Sequence, residues 1–210
     1  MEWLWLILVV AIAYLIGSIS SAILMGKLFG GDDIRSHGSG NAGATNALRT
    51  YGKKVANLVL ILDCLKAVVA ILLGMLIARF AGLEPRYGAY SAGVGAALGH
   101  NFPVYFHFRG GKGVLVSAVY MLFADWRIGV AVLVFSLLLM VVTRYVSLGS
   151  ILGATAFFVA SLFLHWGDIV YLMFAFIMAG TLIVMHHTNI KRLLTGTESK
   201  LGQKKVEGKE

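Results

Sequence analysis

The run WLWLILVVAIAYLIGSISSAILM, residues 3–25, decides how the rest of the chain is read. It is long enough to cross a bilayer, which takes about 20 predominantly apolar residues. A secretory signal would show a cationic n-region and a shorter apolar core. Here Glu2 is the only charged side chain before the run and Lys27 follows it, so it reads as a first membrane helix. Six further apolar segments follow, at residues 55–81, 88–102, 114–124, 128–142, 146–164 and 169–185. Residues 88–102 and 114–124 are short for full spans. They are expected to tilt, pack inside protein or re-enter from one side, because irregular backbone at membrane depth survives only where protein or water covers it. The pattern predicts an all-α polytopic integral membrane helix bundle of about seven transmembrane helices. A single membrane-embedded domain covers residues 1–196, and residues 197–210 form a flexible charged tail.

Composition agrees. Of 210 residues, 59% are hydrophobic and only 13% charged, about half the charge of a soluble domain. Mean hydropathy is +0.83 and the pI 9.7. A net charge of +8 does not point to nucleic acid here, because the cations sit in short loops between apolar runs. There they orient the protein and meet anionic lipid or phosphate. With the amino terminus outside, fourteen of the 18 lysines and arginines fall on the inner side and three, Arg79, Arg86 and Arg127, on the outer, while Lys66 lies within a helix. That asymmetry predicts a cytoplasmic carboxy terminus. Cys64 stands alone, so no intrachain disulfide can form.

Three segments on the predicted inner side carry chemistry: SHGSGNAGATNALRTYGKK (36–54), GHNFPVYFHFRGGKGV (99–114) and MHHTNIKRLLTG (185–196). Glycines let backbone amides converge on an anion, and a helix amino terminus adds a positive dipole. Gly110, Gly111 and Gly113 flank Lys112 in this way, without the spacing of a Walker loop. In the first segment Ser39, Asn41, Thr45 and Asn46 offer neutral donors, Gly40 and Gly43 free the backbone, and Arg49 can fork onto a phosphate. Two such loops on one face can close one anion site. His186 and Asn189 stand one helical turn apart. Asp63 and Lys66 are spaced i, i+3 within an apolar run, which predicts an internal ion pair or a support for the site. HExxH, GxSxG and clustered carboxylates are missing, so neither a metal site nor a serine hydrolase is expected.

These segments resemble the three signature regions of the bacterial membrane glycerol-3-phosphate acyltransferases of the PlsY type. The likeness rests on Ser39-Gly40-Asn41, Gly43-Ala44-Thr45-Asn46, Arg49 and Gly52-Lys53-Lys54; on Gly99-His100, Pro103-Val104 and Phe108 through Val114; and on His186, Asn189-Ile190, Arg192-Leu193-Leu194 and Gly196. It extends to Asp63, Lys66 and the run Arg144 to Ser147. The chain departs from the pattern at Leu115 and Val116, where family members carry small residues, and at Thr188, where some carry glutamate.

The resemblance implies an inner-membrane enzyme of seven helices with an external amino terminus and its site at the cytoplasmic face. It implies transfer of a fatty acyl group from acyl phosphate to the 1-hydroxyl of sn-glycerol 3-phosphate. The products would be lysophosphatidic acid and phosphate, in phospholipid synthesis. No cofactor, nucleic acid or obligate protein partner is expected beyond membrane lipid, and neither acyl-CoA nor acyl carrier protein is the expected donor. Carried onto this chain, the catalytic residues are Ser39, Lys112, His186 and Asn189. The substrate-binding residues are Gly40, Asn41, Gly43, Thr45, Asn46, Arg49, Lys53, His100, Gly110, Gly111, Gly113 and Ser147. A transporter of phosphate-bearing anions is the alternative. It would suit the short helices and cationic loops, but the chain shows no internal repeat.

Overall fold

The computed structural model describes residues 3–203, and these form ten α-helices with no strand among them. The elements are α1 (Trp3–Gly17), α2 (Ser21–Gly30), α3 (Ala44–Thr50), α4 (Lys53–Phe80), α5 (Pro85–Asn101), α6 (Val114–Ala124), α7 (Trp126–Thr143), α8 (Val146–Leu164), α9 (Ile169–Met185) and α10 (His187–Leu194). Four stretches are long and apolar enough to cross a membrane: Trp3–Gly30, Lys53–Phe80, Trp126–Thr143 and Val146–Leu164. The pair α9 and α10, bent by 58° at His186, makes a fifth. The two segments expected to be short are short, at 17 residues for α5 and 11 for α6.

Packing explains why α5 does not look like a membrane span. It is the hub of the bundle, and nearly every residue from Gly88 to Asn101 is buried in protein. Its small residues admit neighbouring backbones. A side chain at Gly88 would strike the Gly74 carbonyl of α4, one at Gly95 the Val10 carbonyl of α1, and one at Gly99 the Tyr14 carbonyl. Close approach of this kind holds membrane helices together where lipid offers no hydrophobic drive. By contrast α7 presents Val134, Leu138, Val141 and Val142 outward, as a lipid-facing helix must.

The first apolar run is not one continuous helix. It breaks at Ser18–Ser20, and Ser20 caps α2 by accepting from the Ile23 amide. The freed polar groups find internal partners. Lys66 of α4 donates to the Ile19 carbonyl at 2.8 Å, Ser21 donates to Asp63 at 2.9 Å, and the Val104 amide donates to Ser18 Oγ at 3.3 Å. Asp63 and Lys66 form the expected ion pair, 2.9 Å apart and almost wholly buried.

Candidate functional site

Arg35 ties the two glycine-rich loops together. Asp33 holds its guanidinium, which donates onward to the Phe106 and Arg109 carbonyls at 2.8 and 2.9 Å. The second loop turns through His107 and Phe108, both non-glycine residues at φ 57°, in the left-handed region that bulky side chains avoid. In the first loop the buried Asn46 side chain is fully engaged. Its Oδ1 accepts from the Ser39 amide and its Nδ2 donates to the Ile34 and His37 carbonyls.

Between these loops, the α9–α10 corner and helices α6 to α8 lies a cavity of about 360 Å³. Its polar end holds Ser39, Asn41, Thr45, Arg49, His100, Lys112, Ser147, His186, Asn189 and Arg192. Its other end is apolar, running past Leu115, Ala118 and Met121 of α6, Leu133, Leu137 and Met140 of α7, and Ala154 of α8. Lys112 donates to Asn189 Oδ1. Burial lowers the Lys112 pKa to about 8, and the nearby Arg192 and Arg49 add repulsion that Glu198 partly offsets. Because the ammonium is the anion-binding form, affinity for a phosphate-bearing ligand should hold below pH 8 and decline as pH rises through it. Titration of inorganic phosphate binding between pH 6.5 and 9.5 measures this, and a Lys112→Arg variant should shift the decline to higher pH.

His186 is buried where α9 gives way to α10, and its Nδ1 donates to the Leu182 carbonyl at 2.8 Å. A carbonyl only accepts, so the neutral ring keeps its lone pair on Nε2.

Several sequence expectations need correction. The Gly110 and Gly111 amides are not free for an anion, because they donate to the Asn101 and His100 carbonyls at 3.1 and 3.0 Å. Gly111 instead makes room, since a side chain there would collide with the His100 ring. The amides left to meet an anion are those at the amino terminus of α6, beginning after Gly113, which has no intrahelical partners for them. Asn46 lines the cavity, but its hydrogen bonds are spent on its own loop. Gly40 and Gly110 line a separate shallow hollow with Arg35, Ser36 and Arg109. Lys53 is exposed at the start of α4, outside both hollows.

Sequence reasoning also missed residues. Arg192 was quoted only as part of a motif, although it follows Asn189 by three positions, one helical turn. Glu198 lies in the stretch read as tail. Its carboxylate accepts from Ser147 Oγ at 2.7 Å, Asn189 Nδ2 at 2.6 Å and Arg192 Nε at 2.7 Å. Burial pulls its pKa upward, but Arg192, Ser147 and Asn189 together hold it below the usual carboxylate range. Residues 204–210 of the expected tail lie outside the described residues. Among the described residues no group of three or more His, Cys, Asp and Glu side chains is placed to hold a metal.

Cations gathered at one end of a membrane-helix cavity, with an apolar slot at the other, match the two ends of an amphiphile with an anionic head. The chain belongs to the glycerol-3-phosphate acyltransferase family, whose model matches residues 7–196. The glycerol-3-phosphate acyltransferase of Thermoanaerobacter sp. (strain X514) is 43% identical over 201 residues, covering 96% of this chain and 98% of that protein. That of Clostridioides difficile (strain 630) is 41% identical over 207 residues, covering 98% and 100%. Among solved structures, PlsY (YgiH), an integral membrane glycerol 3-phosphate acyltransferase, superposes in its glycerol 3-phosphate form with a TM-score of 0.83 at 34% identity, over 94% of this chain and 96% of that one. Its lysophosphatidic acid form gives 0.79 at the same identity, over 94% and 95%.

Proposed function

We propose that this protein transfers a fatty acyl group from acyl phosphate to the 1-hydroxyl of sn-glycerol 3-phosphate, releasing lysophosphatidic acid and phosphate. The observation that carries the reading is the single cavity that joins Arg49, Lys112, Asn189 and Arg192 to an apolar slot among α6, α7 and α8. Both substrates bear phosphate, and one also bears a fatty chain. The donor is a mixed anhydride and already activated, so the protein mainly has to orient the acceptor and neutralise charge. In this reading Lys112 and the α6 amino terminus hold the donor phosphate, while Arg49 and Asn189 hold glycerol phosphate. Ser39, at the mouth, orients the acceptor hydroxyl. The hydroxyl oxygen attacks the acyl carbon, the bond from that carbon to the phosphate oxygen breaks, and phosphate departs. A phosphate whose second pKa is about 6 can take the hydroxyl proton itself.

The test is purified protein in detergent, given acyl phosphate and glycerol 3-phosphate with no membrane gradient. Stoichiometric phosphate and lysophosphatidic acid are expected. Absence of turnover would overturn the proposal, and a transporter would give that result.

His186 is expected to position substrate rather than serve as an indispensable base. A backbone carbonyl holds its Nδ1, and a neutral carbonyl stabilises an imidazolium less than a carboxylate would. His186→Asn should then keep more than a few per cent of turnover, whereas loss of a general base removes about 10²–10⁴-fold. Equal, near-total loss in His186→Asn and His186→Ala with unchanged acceptor binding would make His186 the base.

We also propose seven membrane-crossing segments in the bacterial inner membrane, with the amino terminus outside and the site at the cytoplasmic face. The fourteen-to-three cation asymmetry supports this orientation. A cysteine placed at the exposed Lys54 in a Cys64→Ala background should resist an impermeant thiol reagent in intact cells. Labelling without permeabilisation would reverse the topology.

A further inference from the structure

The Asp63–Lys66 pair does more than neutralise itself. Lys66 Nζ stands 2.8 Å from the Ile19 carbonyl, 2.9 Å from Asp63 Oδ1 and 3.1 Å from Nδ1 of His100. An ammonium carries three hydrogens and no lone pair. Each hydrogen therefore has one partner, and toward His100 the ammonium can only donate. His100 Nδ1 must be the unprotonated nitrogen. The nearest competing arrangement, Nδ1–H donating to Asp63, is ruled out by the 3.7 Å separation from Oδ1. The remaining proton of the neutral ring sits on Nε2. That nitrogen lies beside Gly111, at the start of the Lys112 loop, and His100 lines the cavity.

We propose that Lys66 is a positioning residue that locks His100 as the Nε2–H tautomer, making His100 a hydrogen-bond donor to an anionic substrate oxygen and unable to act as a base. The ligand chemistry is the phosphate oxygen of acyl phosphate or glycerol 3-phosphate, so this part rests on the function proposed above. The two histidines of the cavity then have opposite roles. His100 presents N–H, and His186 presents a lone pair. What sets them apart is the group facing each Nδ1, an ammonium in one case and a carbonyl in the other.

The experiment uses the full chain in lipid nanodiscs with ring-¹⁵N histidine, the His100 signal being identified by its loss in His100→Gln. The ligand-free wild type should show His100 as a single neutral Nε2–H species. The double variant Asp63→Asn/Lys66→Met removes both charges together, so no buried charge is left unpaired, and it removes the donor to Nδ1. It should show mixed tautomers and a kcat lower by about tenfold or more, the effect of disordering one hydrogen bond to a charged group. Asp63→Asn/Lys66→Gln returns an amide N–H that can donate to Nδ1, and turnover should recover to the extent that the Nε2–H signal recovers. An Nδ1–H tautomer in the wild type overturns the proposal by itself, even if a variant fails to fold. So does unchanged turnover in a variant whose tautomer has changed. Titration with inorganic phosphate adds an independent arm. The Nε2 resonance should move in the wild type, and a resonance that stays fixed at saturation overturns the donor role. If the wild type shows the tautomer and the phosphate response but catalyses no acyl transfer, the functional reading fails and the positioning of His100 stands.

Discussion

Lys112→Ala should lose acyl transfer by a factor of several hundred or more while the protein still inserts and folds. Lys112 sits in a loop, after Gly110 and Gly111 have closed their hydrogen bonds to α5, so losing its side chain removes the contact to Asn189 of α10 and leaves those backbone bonds in place. Its ammonium faces Asn189 at the polar end of the cavity, half-buried and already partly stripped of water. A bound phosphate that lost this partner would be a buried anion without its cation, which typically costs about 3–5 kcal/mol. Turnover by phosphate release, together with elution as a monodisperse species, separates loss of chemistry from loss of fold. Wild-type-like turnover would remove Lys112 from the site. Lys112→Arg should fall between the two, because a planar guanidinium keeps the charge but not its point geometry.

The second large effect is on stability. Asp63→Ala leaves Lys66 buried with the Ile19 carbonyl and a histidine nitrogen as its only partners. Breaking a buried pair from one side is expected to cost about 3–5 kcal/mol, whereas replacing both partners together is close to neutral. Asp63→Ala should therefore unfold at a clearly lower temperature than wild type, and Asp63→Asn/Lys66→Met should recover most of the difference. Thermal unfolding of the three proteins in the same detergent checks this. A double variant no more stable than Asp63→Ala would show that the pair's own attraction contributes little, and that Ser21 and the break in the first span depend on Asp63 directly.

The helices were legible because the bilayer leaves the backbone few choices. A long apolar run must satisfy its own hydrogen bonds, so residues 146–164 and 169–185 could be read to the residue. The break at Ser18–Ser20 could not. Serines are tolerated inside membrane helices, and only the arrival of Lys66 from α4 gives the freed Ile19 carbonyl its partner. Much of the site was legible for a chemical reason, since cations and glycines have little place near a membrane unless they do something. Ser39, Asn41, Gly43, Thr45, Arg49, His100, Lys112, Gly113, Ser147, His186 and Asn189 all line the one cavity. Glu198 was invisible because its neighbours in sequence are polar and its neighbours in space come from α8 and α10.

By itself, then, the sequence determined that this is a helical membrane protein with anion chemistry concentrated in three segments, because apolar run length and the placement of charge are local properties. The tertiary structure alone decided which of those polar groups are free. Gly110, Gly111 and Asn46 have the composition of binding residues, but their amides are consumed by carbonyls that only the fold brings near. Whether a histidine offers a proton or a lone pair depends likewise on what faces its other nitrogen, and Lys66 lies thirty-four positions from His100 in the chain. Hydrogen-bonding capacity is written in residue type. Its availability is settled by contacts between distant parts of the chain, and these form only when the helices pack.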